Sequence, residues 1–224
     1  MTVKGKARAV IWDMDGVIAD TGPYHLRAWQ AAFGRRGVNF TAEDFRRNFG
    51  QRNDTIIQTV LGDQIAQTEI GAIAQEKEET YRNLVKENIK PLPGALELLR
   101  SLKANGFRIA LGSSAPMENI QLVLQGLGID SYFQATVSGR EVTEGKPSPQ
   151  GFLLAAKKLG VDPAGCIVVE DAIAGVTACK RAGMCCLAVT NTHPREKLAQ
   201  ADLVVDSLEE VTTADLENLL DRRF

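Results

Sequence analysis

Short apolar runs recur along the chain at residues 10–12, 107–111, 135–137, 166–169, 184–189 and 203–205. Each is strand-sized, and most are continuous rather than alternating. Strands buried on both faces of a parallel sheet read this way, because neither face meets water. Between them lie helical patterns at 94–103, 118–127, 149–159 and 172–182, the first carrying Leu96, Leu99 and Leu102 at helical spacing. Gly106, Gly128, Gly160 and Gly183 follow these segments, where a chain leaving a helix needs a left-handed residue. Alternating strand and helix predicts a doubly wound (Rossmann-like) α/β fold around a parallel sheet.

One stretch breaks the alternation. Residues 21–90 hold no strand pattern, only helix-forming segments at 25–35, 43–49 and 65–87. The stretch starts directly after the first strand and stops at Pro91-Leu92-Pro93-Gly94, a stiff turn signal. We expect a small α-helical cap domain over 20–91 inserted into a core made of 1–19 and 92–224. Hinges are expected near Ala19-Asp20 and at 89–93.

Composition narrows the partners. The 224 residues are 44% hydrophobic, enough for a buried core, and 26 basic side chains face 28 acidic ones for a net charge of -2. That balance excludes the basic footprint of a nucleic-acid binder and of a membrane-surface protein. No run is long enough to span a bilayer. The first eight residues carry Lys4, Lys6 and Arg8, and the apolar run after them is too short for a signal-peptide core, so a cytoplasmic protein is expected. Cys166, Cys179, Cys185 and Cys186 form no C-x-x-C pair and sit mostly in apolar runs, which assigns them to packing.

In an open α/β sheet, ligands gather at the carboxyl ends of the strands. There the chain places Asp13 and Asp15, then Ser113 and Ser114, then Lys146 within Glu144-Gly145-Lys146-Pro147, then Glu170-Asp171. Each alone has a plainer reading: a turn, a helix N-cap or an exposed loop. Four such sites, each at a strand end, are a different matter. Clustered carboxylates repel, and one lysine cannot neutralise four of them and also an anionic substrate. Oxygen ligands without histidine or thiolate select Mg2+ over zinc. Two aligned carboxylates plus a divalent cation suit phosphoryl transfer, with one acid attacking phosphorus and the other moving protons. Ser113 and the helix start near Pro116 offer donors to the phosphate oxygens.

Taken in order, Asp13-Met14-Asp15-Gly16-Val17, Leu111-Gly112-Ser113-Ser114, Gly145-Lys146-Pro147 and Glu170-Asp171-Ala172 resemble the haloacid dehalogenase superfamily over the whole chain. The resemblance implies Asp13 as nucleophile, Asp15 as general acid/base, and Ser113 and Lys146 as holders of the transferring phosphate, with Ser114 beside them. It also implies a Mg2+ site from Asp13, the backbone carbonyl of Asp15, Asp171 and an assisting Glu170. The branch that it resembles most is the β-phosphoglucomutase-like one. Asp20-Thr21-Gly22-Pro23-Tyr24-His25, Gly50-Gln51-Arg52-Asn53-Asp54 and Lys77-Glu78-Glu79-Thr80-Tyr81 match its cap, making His25, Arg52 and Lys77 expected substrate contacts.

The pattern departs in one place. Mutases carry a serine and a lysine after the small-residue pair, which hold a second phosphate, whereas this chain has Ala115-Pro116. Losing a cation and a hydroxyl weakens the grip on a bisphosphate. The expected activity is therefore hydrolysis of a small phosphorylated metabolite, a sugar phosphate, by a monomer or weak homodimer. The alternative is mutase activity between β-glucose 1-phosphate and glucose 6-phosphate. A dehalogenase, which attacks carbon without a metal, and a non-catalytic magnesium- or phosphate-binding module fit less well.

Overall fold

The structure, a computed structural model, describes residues 8–222; most of the basic N-terminal segment thus lies outside the described residues. Six parallel strands form one sheet: β1 (Ala9–Trp12), β2 (Arg108–Gly112), β3 (Ala135–Val137), β4 (Cys166–Glu170), β5 (Cys185–Val189) and β6 (Leu203–Val205). Their order is β3-β2-β1-β4-β5-β6. The chain reverses direction across the sheet at β1, which pairs with β2 on one side (Val10 opposite Ile109) and β4 on the other (Val10 opposite Ile167). Crevices for ligands open at such a reversal point.

Alternate side chains of each strand enter opposite layers. Val10, Trp12, Ile109, Leu111, Ile167 and Val169 pack beneath α5 (Ala95–Ala104), α6 (Met117–Leu127) and α9 (Thr213–Asp221). Ile11, Ala110, Val168 and Cys186 pack beneath α7 (Gln150–Leu159) and α8 (Ile173–Arg181). Burial on both faces explains why the strands read as unbroken apolar runs. All four cysteines are buried and free. Among the described residues no helix is long and apolar enough to cross a membrane.

Between β1 and β2 the chain forms α1 (Gly22–Gly34), α2 (Ala42–Asn48), α3 (Asn53–Leu61) and α4 (Gln67–Val85). These helices bury their own cluster of Trp29, Phe33, Phe40, Ile56, Ile57, Ile70 and Ile73, with the Trp29 and Phe33 rings stacked 5.1 Å apart. Fully burying side chains of this size contributes about 1.5–3 kcal/mol each. The outgoing and returning strands of chain lie side by side: the Asp20 amide donates to the Lys90 carbonyl at 3.1 Å and the Leu92 amide to the Ile18 carbonyl at 2.9 Å.

Two helices were not expected. α3 is short and buries only Ile56 and Ile57, too little for a periodic signal. α9 starts with a capping box, Thr212 accepting from the Asp215 amide while Asp215 accepts from the Thr212 amide; the T-x-x-D pattern marks this start.

Candidate active site

The Asp13 amide continues the parallel pairing one residue beyond β1, donating to the Val169 carbonyl at 3.0 Å. That bond brings the end of β1 against the end of β4, where Glu170 and Asp171 follow. Gly16 then turns the chain at φ +81°, and a Cβ there would lie 2.1 Å from Asp171 Oδ2. Only glycine permits this approach.

Asp13, Glu170 and Asp171 are all buried, and each offers an oxygen within 4.8 Å of the others. Lys146 is the cation among them: its Nζ donates to Asp13 Oδ1 at 2.7 Å and also to Glu170 Oε1. Glu170 uses its other oxygen to accept the amides of Asp171 and Ala172, both at 2.8 Å, tying down the start of α8. Asp171 Oδ2 accepts the Thr192 hydroxyl, and its Oδ1 is buried without a partner.

Charge is therefore short on one side. Burial pushes the Asp13 carboxyl up to about 7 against the pull of Lys146, with Glu170 and Asp15 adding repulsion. Burial, then Glu170 and Asp13, hold Asp171 well above the usual carboxylate range. Lys146 is raised despite its burial, because Asp13 and Glu170 flank it. An orphaned buried oxygen beside hard, oxygen-only ligands fits a divalent cation such as Mg2+. Asp13, Asp171 and Glu170 are the side chains that could hold one.

Asp15 belongs to a different environment. Its Oδ1 accepts the Thr21 hydroxyl at 2.6 Å and meets His25 Nε2 at 3.1 Å. Burial alone would raise its carboxyl, but His25, the Thr21 hydroxyl and Lys77 outweigh burial and lower it. Lys77 Nζ lies 2.9 Å from His25 Nδ1. An ammonium has donors and no acceptor, so Nδ1 accepts and Nε2 carries the hydrogen given to Asp15. The His25 ring also stacks on Tyr81 at 3.9 Å. The four carboxylates expected around one crevice thus divide into three near Lys146 and one near His25.

Asp13, Asp15, His25, Lys77, Ser113 and Ser114 line one small cavity of about 40 Å³. Lys146 and Arg52 line an adjoining one that shares Ser113 and Ser114. Ser113 Oγ accepts the Ala115 amide at 3.1 Å, and Ser114 Oγ donates across to the Gly50 carbonyl at 2.7 Å. Arg52 points away from Asp13: it pairs with Asp54 at 2.6 Å and donates to the Val142 carbonyl at 2.7 Å.

Several site residues had not been singled out as site contacts. Thr21 holds Asp15, Thr192 holds Asp171, and Asn191 Nδ2 donates to the Gly16 carbonyl at 2.9 Å. Glu78 accepts from Lys77 at 2.7 Å, Asn53 at 2.8 Å and Asn119 at 2.6 Å. Thr21, Asn53 and Glu78 lie inside the cap segments whose resemblance was noted; Asn119 and Thr192 carry no local signal.

A parallel sheet reversing at β1, with a lysine and buried acids at its carboxyl edge, is an arrangement suited to phosphoryl transfer. Residues 7–183 match the family model of the haloacid dehalogenase-like hydrolases, and the chain belongs to that family. It is 34% identical over 78% of its length to a fructose-1-phosphate phosphatase of Escherichia coli, covering 92% of that protein. It is 35% identical to the β-phosphoglucomutase of Bacillus subtilis, over 92% of each chain. The fold superimposes on the crystal structure of a Clostridium difficile β-phosphoglucomutase with a TM-score of 0.88 at 30% identity, covering 97% of this chain and 98% of that one.

Proposed function

We propose that the protein is a Mg2+-dependent phosphatase that hydrolyses a small sugar phosphate through an aspartyl-phosphate on Asp13. The observation that carries this reading is the charge deficit around Asp13. One ammonium stands among three buried carboxylates and bonds two of them, and an oxygen of the third, Asp171, is buried without a hydrogen-bond partner. A bound cation would supply the missing positive charge for an anionic substrate.

The residues then divide the chemistry. Asp13 attacks phosphorus, forming an acyl-phosphate as the ester P–O bond breaks. Lys146, Ser113 and the amides ahead of α6 (Met117–Leu127) hold the phosphoryl oxygens. Asp15 gives a proton to the departing sugar oxygen and later takes one from the water that attacks the phosphoryl group, releasing phosphate and restoring Asp13. The Thr21 and His25 contacts favour the ionised form of Asp15, which suits the second half; a phosphate dianion alongside would raise its pKa toward the protonated form needed in the first. Residues 20–91 act as a cap hinged at 19–20 and 89–93, closing over the substrate while Asp13 is phosphorylated and opening to release the products.

The mutase reading is supported by the β-phosphoglucomutase relatives. Ala115 and Pro116 weigh against it, offering neither cation nor hydroxyl for a second phosphate. Incubation with β-glucose 1-phosphate and Mg2+ separates the two. Free phosphate as the main product supports the phosphatase; near-stoichiometric glucose 6-phosphate supports the mutase. A panel of phosphorylated metabolites, with Mg2+ and then with chelator, identifies the substrate and tests the cation.

A further inference from the structure

The catalytic cavity, about 40 Å³, holds a phosphate-sized group and little else. The rest of a substrate must extend beyond it. A cleft of about 500 Å³, in the range of small-molecule sites, lies directly alongside between α4 (Gln67–Val85) and the start of α6 (Met117–Leu127). Asn53, Glu78 and Ser114 line both spaces, so they form the junction between them.

The charges in the cleft nearly balance. Three guanidiniums face four carboxylates there. Arg52 is committed to Asp54 at 2.6 Å and Arg140 to Glu118 at 3.0 Å, while Arg82 donates to Asn119 Oδ1 at 3.0 Å. At the junction itself Glu78 is buried, with 6% of its surface exposed. It accepts three hydrogen bonds, from Lys77, Asn53 and Asn119. A carboxylate has about four acceptor positions, so one remains free on the oxygen that faces Asn119.

We propose that Glu78 is a specificity-determining residue, accepting a hydroxyl of the substrate's sugar where it passes from the catalytic cavity into the cleft. The substrate class is thereby a phosphomonoester whose body presents a hydroxyl at the junction. The proposal rests on the phosphatase reading for the identity of the reacting group. The carboxylate remains charged at all pH values of interest: burial acts to raise it, but Lys77 and His25 dominate and lower it to about 2. Lys77 Nζ at 2.7 Å compensates that charge, so Glu78 selects by hydrogen bonding: a substrate without a hydroxyl at the junction leaves its free acceptor position unpaired.

Calorimetric titration tests this in Asp13→Asn protein, where binding is read whether or not the wild type turns over. The probes are fructose 1-phosphate and n-butyl phosphate, which has no hydroxyl to offer, with Mg2+ present. The sugar phosphate is expected to bind at least about tenfold more tightly, and Asp13→Asn/Glu78→Gln should narrow that ratio by about tenfold, the effect of weakening one charge-assisted hydrogen bond. Asp13→Asn/Glu79→Gln, altering an exposed carboxylate of the same cleft, should change the ratio by less than about twofold. Equal binding of both probes without the Glu78 change would overturn the proposal, even if Glu78→Gln failed to fold. So would an unaltered ratio in a folded Glu78→Gln variant, an equal response to Glu79→Gln, or no binding of either probe. Absence of phosphate release by the wild type, with the binding ratio as expected, would instead remove the phosphatase reading.

Discussion

Two groups of buried charge meet at the small cavity, and they are balanced in opposite ways. On the sheet edge, Lys146 stands alone among Asp13, Glu170 and Asp171, and an oxygen of Asp171 has no partner. On the helical side, Asp15, His25, Lys77 and Glu78 form a chain in which each charge meets a complementary neighbour. Buried charges that lack partners are costly and mark places where something else must bind, whereas a satisfied network fixes orientation. In the proposed function the sheet edge is the reacting end, and the helical network aims the proton-transfer group and reads the substrate.

The largest effect that can break this division falls on Asp13. Asp13→Asn should lower kcat/KM by more than about 10⁴, equivalent to roughly 5 kcal/mol of barrier. Steady-state assays on the best substrate of the panel read it, and retention of a tenth of the rate would mean that Asp13 is no nucleophile.

Lys146→Met comes next. It leaves Asp13 and Glu170 buried without their ammonium, a change that destabilises by about 3–5 kcal/mol. A drop of that size in the unfolding free energy from denaturant titration at neutral pH is expected, partly recovered by added Mg2+. A drop within error would show that the crowd is not held by this lysine.

The two regions should also respond to pH with opposite sign. The folded Asp13 carboxyl, about 7, lies above its ordinary 3.8. The folded state thus holds the extra proton, and cation-free protein should lose stability as pH rises from about 4 to 7. Glu78 at about 2 lies below its ordinary 4.5. Its contribution is present above pH 4.5 and lost as pH falls toward 2, at most about 3 kcal/mol. Melting temperatures across pH, with Mg2+ or chelator, should show the first slope vanish with the cation and the second vanish in Glu78→Gln. A neutral-range slope indifferent to Mg2+ would contradict the charge deficit.

The smallest expected effect concerns Thr192, whose hydroxyl orients Asp171. Thr192→Val should weaken Mg2+ binding by about tenfold, the lower end of what partners of metal ligands contribute, with the thermal midpoint of the cation-free protein nearly unchanged. Calorimetry with Mg2+ measures it, and unaltered affinity would mean that Asp171 needs no such support.

The sheet edge was readable from the chain because its residues sit where a periodic pattern stops. Asp13 follows Val10-Ile11-Trp12 and Glu170 ends an apolar run, so each strand end announces its own polar residue. The helical network had no comparable signal. Glu78 and Asn119 are 41 positions apart and belong to helices whose polar faces look ordinary, and only packing α4 (Gln67–Val85) against α6 (Met117–Leu127) joins them. Arg52 shows the same limit from the other side. Its position was legible, but its direction, toward the Val142 carbonyl rather than toward Asp13, depends on how the helical segment sits on the sheet. Thr212 and Asp215 are a different case, a capping pattern present in the chain that marks α9 (Thr213–Asp221) without any long-range information.

Trapping the intermediate tests the central claim most directly. Wild-type protein mixed with substrate and Mg2+, quenched in acid within a turnover and reduced with borohydride, should yield homoserine at position 13 in the digested peptide, and chelator or Asp13→Asn should abolish it. Phosphate release with no modification at Asp13 at any quench time, or with modification at another residue, would contradict the account.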